Sequence, residues 1–185
     1  MIPVAVLDAN ILFPMILRDT LLRVAAAGCY RAHWSERILD EMARNLVAQH
    51  RVSEEQADGL ARQMGQAFAE AAVAGWEALE ADMPNDPKDR HVAAAAKKIG
   101  ASLIVTANLR DFAALPPGIE AVAPDAFLLD RLQAMPREVI AALRRQAAGY
   151  RNPPADLGEL LDWLALAVPG FVAAVRDAVA RGGGA

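Results

Sequence analysis

A chain of 185 residues that is 55% hydrophobic and 23% charged can bury a core, which excludes disorder as its main state. Its formal net charge of -4 excludes the broad basic footprint of a protein that grips nucleic acid through phosphate contacts alone, so any such site must be local. A single cysteine, Cys29, excludes an intramolecular disulfide and a cysteine-rich zinc site, and its ordinary role is that of a small buried hydrophobe.

Alanine supplies much of the apolar fraction and aromatics only 5%, which favours closely packed helices over a sandwich of bulky β residues. No run approaches the roughly 18 apolar residues of a membrane span, and Met1 to Leu12 lacks a basic start followed by a cleavable apolar stretch. The expectation is a soluble, cytoplasmic protein that makes no membrane contact.

Pro3 to Leu7 is a valine-rich apolar run of the kind buried on both faces of a parallel sheet, and it stops at Asp8. Ile11 to Ala27 reads as a helix that Pro14 prevents from starting earlier than about that residue, with Gly28 as its C-cap. Cys29 to Trp34 fits a second strand. Ser35 is an N-cap for a helix through Glu41 to about Ala48, carrying Ile38, Leu39, Met42 and Leu46 on one face. Ser53 caps a further amphipathic helix expected to run to about Ala74, and Trp76 to Leu79 is read as a strand.

Asp86-Pro87 opens a helix with a buried stripe of Val92, Ala95, Ala96 and Ile99, ended by Gly100. Ser102 to Thr106 is a second buried parallel strand, followed by the polar loop Ala107 to Arg110, and Ile119 to Ala123 reads as one more strand. From Asp125 the pattern is helical. It has a break at Pro153-Pro154, apolar positions at Leu160, Leu161, Leu164 and Val168, a last helix through Phe171, Val175 and Val179, and a Gly182 to Gly184 tail. The class is α/β: a parallel sheet sandwiched by helices over residues 1–124, with an appended C-terminal helical region over 125–185.

Four acids stand where chemistry is done in such a fold. Asp8 directly follows the first buried strand, at the carboxyl edge where open α/β sheets place their sites, with helix capping beside Asn10 as the competing role. At about 100° per residue, Glu41 falls just beyond the apolar stripe of its helix and can face a cleft, while Asp40 points further away. Asn45 could orient Glu41, and Arg37 or Arg44 could equally make it a surface ion pair. In Asp86-Pro87-Lys88-Asp89 the natural division is Asp86 as cap and Asp89 as functional group; Lys88, Arg90 and His91 could contact phosphate oxygens or form a solvated first turn. Asp111 follows the second buried strand across its loop and either reaches the same edge or caps the turn at Phe112, with Asn108 able to share either task.

The order strand-Asp, helix-Glu, helix-start-Asp, strand-loop-Asp resembles the PIN-domain pattern over roughly residues 2 to 124. Val6-Leu7-Asp8-Ala9-Asn10-Ile11-Leu12, Asp86-Pro87-Lys88-Asp89-Arg90-His91 and Val105-Thr106-Ala107-Asn108-Leu109-Arg110-Asp111-Phe112 look like its successive signature segments. The insertion from Ser53 to Ala74 and the chain beyond Asp125 lie outside the minimal core and are similar to helical extensions of VapC-like toxin ribonucleases. Asn108 stands where relatives carry an acid, which leaves Asp111 or the Asn108 position nearer the metal; Asp111 is the one chosen here.

The resemblance implies an endoribonuclease that hydrolyses RNA phosphodiester bonds with Mg²⁺ or Mn²⁺ and serves as the toxin of a toxin-antitoxin pair. Asp8 and Asp89 would be direct ligands, Glu41 and Asp111 would hold metal-bound waters or a second ion, and Asn10, Thr106 and Asn108 would support them. Arg18, Lys88, Arg90 and Arg110 are then available for the RNA backbone. A cognate antitoxin in the acidic cleft and a homodimer follow from the same likeness. The chemistry agrees, since crowded carboxylates repel one another and are hard oxygen ligands suited to these cations. A catalytically inactive PIN-like protein- or RNA-binding module is the alternative. A haloacid-dehalogenase-type phosphatase would want a second Asp where Asn10 stands, and neither a dinucleotide fingerprint nor a phosphate-binding loop follows the first strand.

Overall fold

Val4–Leu7 forms strand β1, paired parallel on both sides: Val6 lies against His33 of β2 (Arg31–Ser35) and against Ile104 of β4 (Leu103–Val105). A strand with neighbours on both edges and helices over its faces needs apolar side chains throughout, and Ala5, Val6 and Leu7 are fully buried. The edge strands β3 (Ala72–Val73) and β5 (Glu120–Val122) complete a five-stranded sheet of order β3-β2-β1-β4-β5, every pair parallel. The computed structural model describes residues 2–151 and 155–182.

Between the strands run α1 (Ala9–Leu12), α2 (Met15–Ala26), α3 (Glu36–Ala48), α4 (Glu54–Ala67), α5 (Glu77–Glu80) and α6 (Arg90–Ile99). Ser35 caps α3 by accepting from the Ile38 amide, and Ser53 forms a reciprocal capping box with Gln56. Gly28 (φ 79°) and Gly100 (φ 65°) take the left-handed conformation that closes a helix. The alanine stripe of α6, fully buried from Val92 to Ala96, packs closely on β1, β2 and β4.

Two expectations are corrected. The helix from Ser53 ends at Ala67, not Ala74, and the residues beyond it form a 3₁₀ turn and the edge strand β3. Trp76 to Leu79 is no strand: Gly75 at φ 70° turns the chain out of β3, and Trp76 leads into the single-turn α5 with its own ring buried. The helix at Asp86-Pro87 begins as a 3₁₀ turn, Pro87–Asp89, with the Asp86 carboxylate accepting from the Lys88 amide at 3.1 Å.

Contacts divide the chain into two units. The first holds residues 3–14 and 31–122, that is, the sheet with α1 and α3 to α6. The second holds Met15–Tyr30 together with the described residues from Ala123 onward, so α2 groups with the C-terminal helices although its sequence position is amino-terminal to β2. Those helices are α7 (Pro124–Ala134), α8 (Pro136–Gly149), α9 (Leu157–Leu164) and α10 (Pro169–Gly182). Inside this unit α2 packs on α8, and the Asp125 carboxylate accepts from the Gly170 and Phe171 amides at the start of α10. The expected Pro153-Pro154 break and the Gly183-Gly184 tail lie outside the described residues, and Gly182 ends α10 instead of belonging to the tail.

Candidate active site

From β1 the chain goes to β2 and β3 on one side of the sheet, then returns to β4 and β5 on the other. The direction of strand order therefore reverses between β1 and β4, and the crevice beyond their carboxyl ends is where such sheets bind ligands. Asp8 leaves β1 there and Thr106 leaves β4, their backbones still joined by the Asp8 amide donating to the Val105 carbonyl at 3.1 Å.

Both roles open to Asp8 are filled, by different oxygens. Oδ1 accepts from the Ala9 amide at 2.7 Å and caps α1; Oδ2 accepts from Thr106 Oγ1 and Asn10 Nδ2, both at 2.7 Å. Asn10 also donates to Thr106 Oγ1 at 3.0 Å and accepts from the Ala107 amide, while the Asn108 amide donates to Thr106 Oγ1. One hydroxyl thus ties the two strand ends together and points at the carboxylate.

A pocket of about 370 Å³ opens at this point, lined by Asp8 and Asn10 after β1, Arg37, Glu41 and Arg44 on α3, Lys88, Asp89 and His91 at the start of α6, and Asn108 after β4. Asp111 borders it through its neighbours, since its Oδ2 accepts from Asn108 Nδ2 and pairs with Lys88 Nζ at 2.6 Å. Asp89 is 9% exposed and its Oδ2 is buried with no hydrogen-bond partner. Three carboxylates from three separate stretches of sequence therefore line one small space, and Asp111 stands beside it on the Lys88 and Asn108 side chains.

The electrostatics follow from that crowding. Burial pushes the Asp8 carboxyl up to about 6 against the Thr106 and Ala9 hydrogen bonds, with Glu41 and Asp111 adding to the rise. Burial, the shared bond with Asp111 and the Asp8 charge push Asp89 up to about 7. Asp111 goes the other way, held below the usual carboxylate range chiefly by the Lys88 ammonium.

The remaining residues named from sequence divide. Lys88 is at the pocket, 4.0 Å from Asp89 Oδ2 as well as on Asp111. Arg90 donates to the Asn85 carbonyl, Arg110 is exposed, and neither lines the pocket. Arg18 is 8% exposed on α2, within the other unit. His91 is 1% exposed, not the solvated contact that its charged neighbourhood suggested: Nδ1 meets the Lys88 carbonyl at 3.0 Å, and Nε2 faces Glu41 Oε2 at 3.6 Å. Burial and the nearby Arg37 lower its pKa to about 4, so the ring is neutral with Nδ1–H donating and a bare Nε2 turned to the carboxylate. Arg37 and Arg44 were read only as partners for Glu41; the signal that places them in the pocket is their spacing of four and three residues from it on α3.

Among the described residues no three His, Cys, Asp or Glu side chains stand as a preformed ligand set for a metal ion. The donors nevertheless suit a hard divalent cation: all four acids offer oxygen, one buried Asp89 oxygen lacks a hydrogen-bond partner, and Lys88 already supplies positive charge between Asp89 and Asp111.

A parallel α/β domain with an acidic pocket at its switch point defines the class of the molecule. Residues 4–110 match the family described as PIN domain, and the chain belongs to it. Residues 124–177 match the family described as VapC50 C-terminal domain. A curated relative from Mycobacterium tuberculosis, named "Putative ribonuclease VapC50", is 42% identical over 105 residues, which is 55% of this chain and 62% of that protein. The chain thus spans somewhat less than two thirds of the relative it matches. No solved structure matches the chain.

Proposed function

We propose that the chain is a Mg²⁺- or Mn²⁺-dependent endoribonuclease that hydrolyses RNA phosphodiester bonds, and that it is the toxin of a toxin-antitoxin pair. The observation that carries this reading is the meeting of Asp8, Glu41 and Asp89 in one pocket, with Asp111 at its border through Lys88 and a buried Asp89 oxygen lacking a hydrogen-bond partner. The name of the relative and the PIN family support it.

In this reading residues 1–124 are the nuclease domain and 125–185 the appended helical region. Asp8 and Asp89 would hold the cation directly, and Glu41 and Asp111 would hold its waters. When bound, the divalent ion supplies a deprotonated water and neutralises charge on the phosphoryl oxygens. Thr106 and Asn10 fix the direction in which Asp8 presents Oδ2, and Asn108 does the same for Asp111. Lys88, which pairs with Asp111 at the pocket, would supply a positive charge for a phosphate oxygen. The RNA is single-stranded. The protein acts in the cytoplasm as a homodimer, and a cognate antitoxin occupies the acidic cleft.

The Lys88–Asp111 ion pair, which neutralises part of the cluster without metal, favours a second reading: a catalytically inactive PIN-like module that binds protein or RNA. Incubation of a labelled single-stranded RNA with the purified chain separates them. Cleavage is expected with Mg²⁺ or Mn²⁺, none with EDTA, and none with Asp8→Asn at unchanged circular dichroism. RNA binding without cleavage under either metal would establish the module.

A further inference from the structure

A second cleft, about 720 Å³, lies between α3 and α4, and its wall shares two residues with the acidic pocket: Arg37 and Arg44. With Glu41 they occupy positions i, i+4 and i+7 of α3, one face of the helix, so the two arginines form a sill that borders both hollows. Arg37 is held there by Glu80 at 2.7 Å and by the Trp76 ring, 5.8 Å away; Arg44 is exposed, with Nε on the Asp40 carbonyl. Beyond the sill the floor is apolar, formed by Ala43, Val47 and Ala57, and carboxylates of Asp40, Glu54 and Asp58 stand around it.

We propose that the pocket and the cleft form one RNA track, in which a phosphate beside the reacting one rests between Arg37 and Arg44 and the next base enters the α3–α4 cleft. The inference rests on the ribonuclease reading above and adds a base-selective subsite to it. Two arginines match a phosphate, whereas the cleft is acidic and a phosphate would be repelled from it. A base has no charge. An apolar floor takes its ring, and carboxylates accept from the amino groups of cytosine, adenine or guanine, whereas uracil has no amino group and flanks its one N3–H donor with two carbonyl oxygens that the carboxylates repel. The volume lies in the range of small-molecule sites. The subsite therefore prefers an amino-bearing base to uracil.

The test uses the full chain carrying Asp8→Asn, so that RNA is bound but not cut, with fluorescein-labelled seven-nucleotide oligocytidine, oligoadenosine and oligouridine in Mg²⁺. Oligocytidine and oligoadenosine are expected to bind at least about fivefold more tightly than oligouridine. Adding Arg44→Gln, which leaves the Arg37 anchor untouched, weakens all three about tenfold and flattens the salt slope by about 0.7. Adding Asp58→Asn instead removes the preference against uridine and leaves the salt slope unchanged; circular dichroism checks the fold of each. Equal binding of the three oligomers, an unchanged salt slope in the arginine variant, or an arginine-rich peptide seated in the cleft that RNA fails to displace would each overturn the track. Failure of the wild-type chain to cleave RNA with either metal sinks the ribonuclease reading separately, because the binding measurements do not depend on it.

Discussion

In the helical unit, the buried amide of Gln146 has partners for both of its ends. Its oxygen accepts from Thr20 Oγ1 at 2.8 Å, its nitrogen donates to the Ile16 carbonyl and Tyr150 Oη, and Tyr150 donates onward to Asp19. In the sheet unit, Asp8 is similarly buried and well bonded, yet it shares its pocket with the Glu41 and Asp89 carboxylates, Asp111 stands at the border, and an Asp89 oxygen has no hydrogen-bond partner. A network of neutral groups that ends on a carboxylate already paired with Arg23 holds helices together and asks for nothing more. A cluster of like charges, partly orphaned, is unfavourable until something positive arrives. The contrast separates polar burial that serves the fold from polar burial that serves a ligand.

The widest gap between the two regions is expected from Asp89→Asn. Losing this oxygen ligand should lower cleavage at least about a hundredfold. The same substitution should stabilise the metal-free protein at neutral pH. Asp8 and Asp89 are raised to about 6 and about 7 from an ordinary 3.8, so the native state holds protons that the unfolded state has released. Their contribution is fully present below about pH 4 and is lost as pH climbs through 6 and 7. Urea unfolding in EDTA should accordingly show wild type and variant alike near pH 4, and the variant ahead by about 2 kcal/mol at pH 7.5. Saturating Mg²⁺ should reverse that order, because only the wild-type site binds it. A variant less stable than wild type in EDTA at pH 7.5 would mean that the acid cluster is structural.

Gln146→Leu probes the other region. It removes the bonds of Gln146 to Thr20, Ile16 and Tyr150, while the Thr20 hydroxyl keeps the Ile16 carbonyl and Tyr150 keeps Asp19, so the loss should be about 1–2 kcal/mol, that of one or two ordinary hydrogen bonds. The loss should be the same at pH 5.5 and pH 7.5 and indifferent to Mg²⁺. Any metal dependence of the Gln146 variant's stability would blur the distinction between the regions.

What could be read from sequence divides along similar lines. β1 and β4 were legible because a strand buried on both faces must be apolar throughout, and the acids that end them fall at the sheet's carboxyl edge by chain order alone. Glu41 was legible from helical spacing. The short strand β3 was missed because two residues carry no period, and Trp76, rich in strand propensity, was drawn into a turn by Gly75. His91 looked solvated beside Lys88 and Arg90, but packing against Trp76, whose ring lies 6.0 Å away, buries it, and a contact between α6 and a turn fifteen residues earlier leaves no local trace. The same holds for α2, whose apolar face gives no sign that its partners are the C-terminal helices, and for the second hollow beyond Arg44, which exists only once α4 lies against α3.

The smallest expected effect tests the joint between fold and site. Thr106→Val keeps the shape of a fully buried residue, but it removes the hydroxyl that donates to Asp8 Oδ2 and accepts from Asn10 and the Asn108 amide. Thr106 gives the largest of the effects that lower the Asp8 pKa, so without it the carboxyl rises further and yields its proton to a cation less readily. Stability should fall by about 1 kcal/mol, comparable to one ordinary hydrogen bond. The Mg²⁺ concentration for half-maximal cleavage should rise about tenfold, with the pH dependence of that requirement displaced upward and the rate largely restored at saturating metal. Thr106→Ser, which keeps the donor and loses only the methyl, should return the metal requirement to near the wild-type value. If serine fails to do so while the protein remains folded, the hydroxyl is not what aims Asp8, and its bonds belong with those of Gln146 as part of the fold alone.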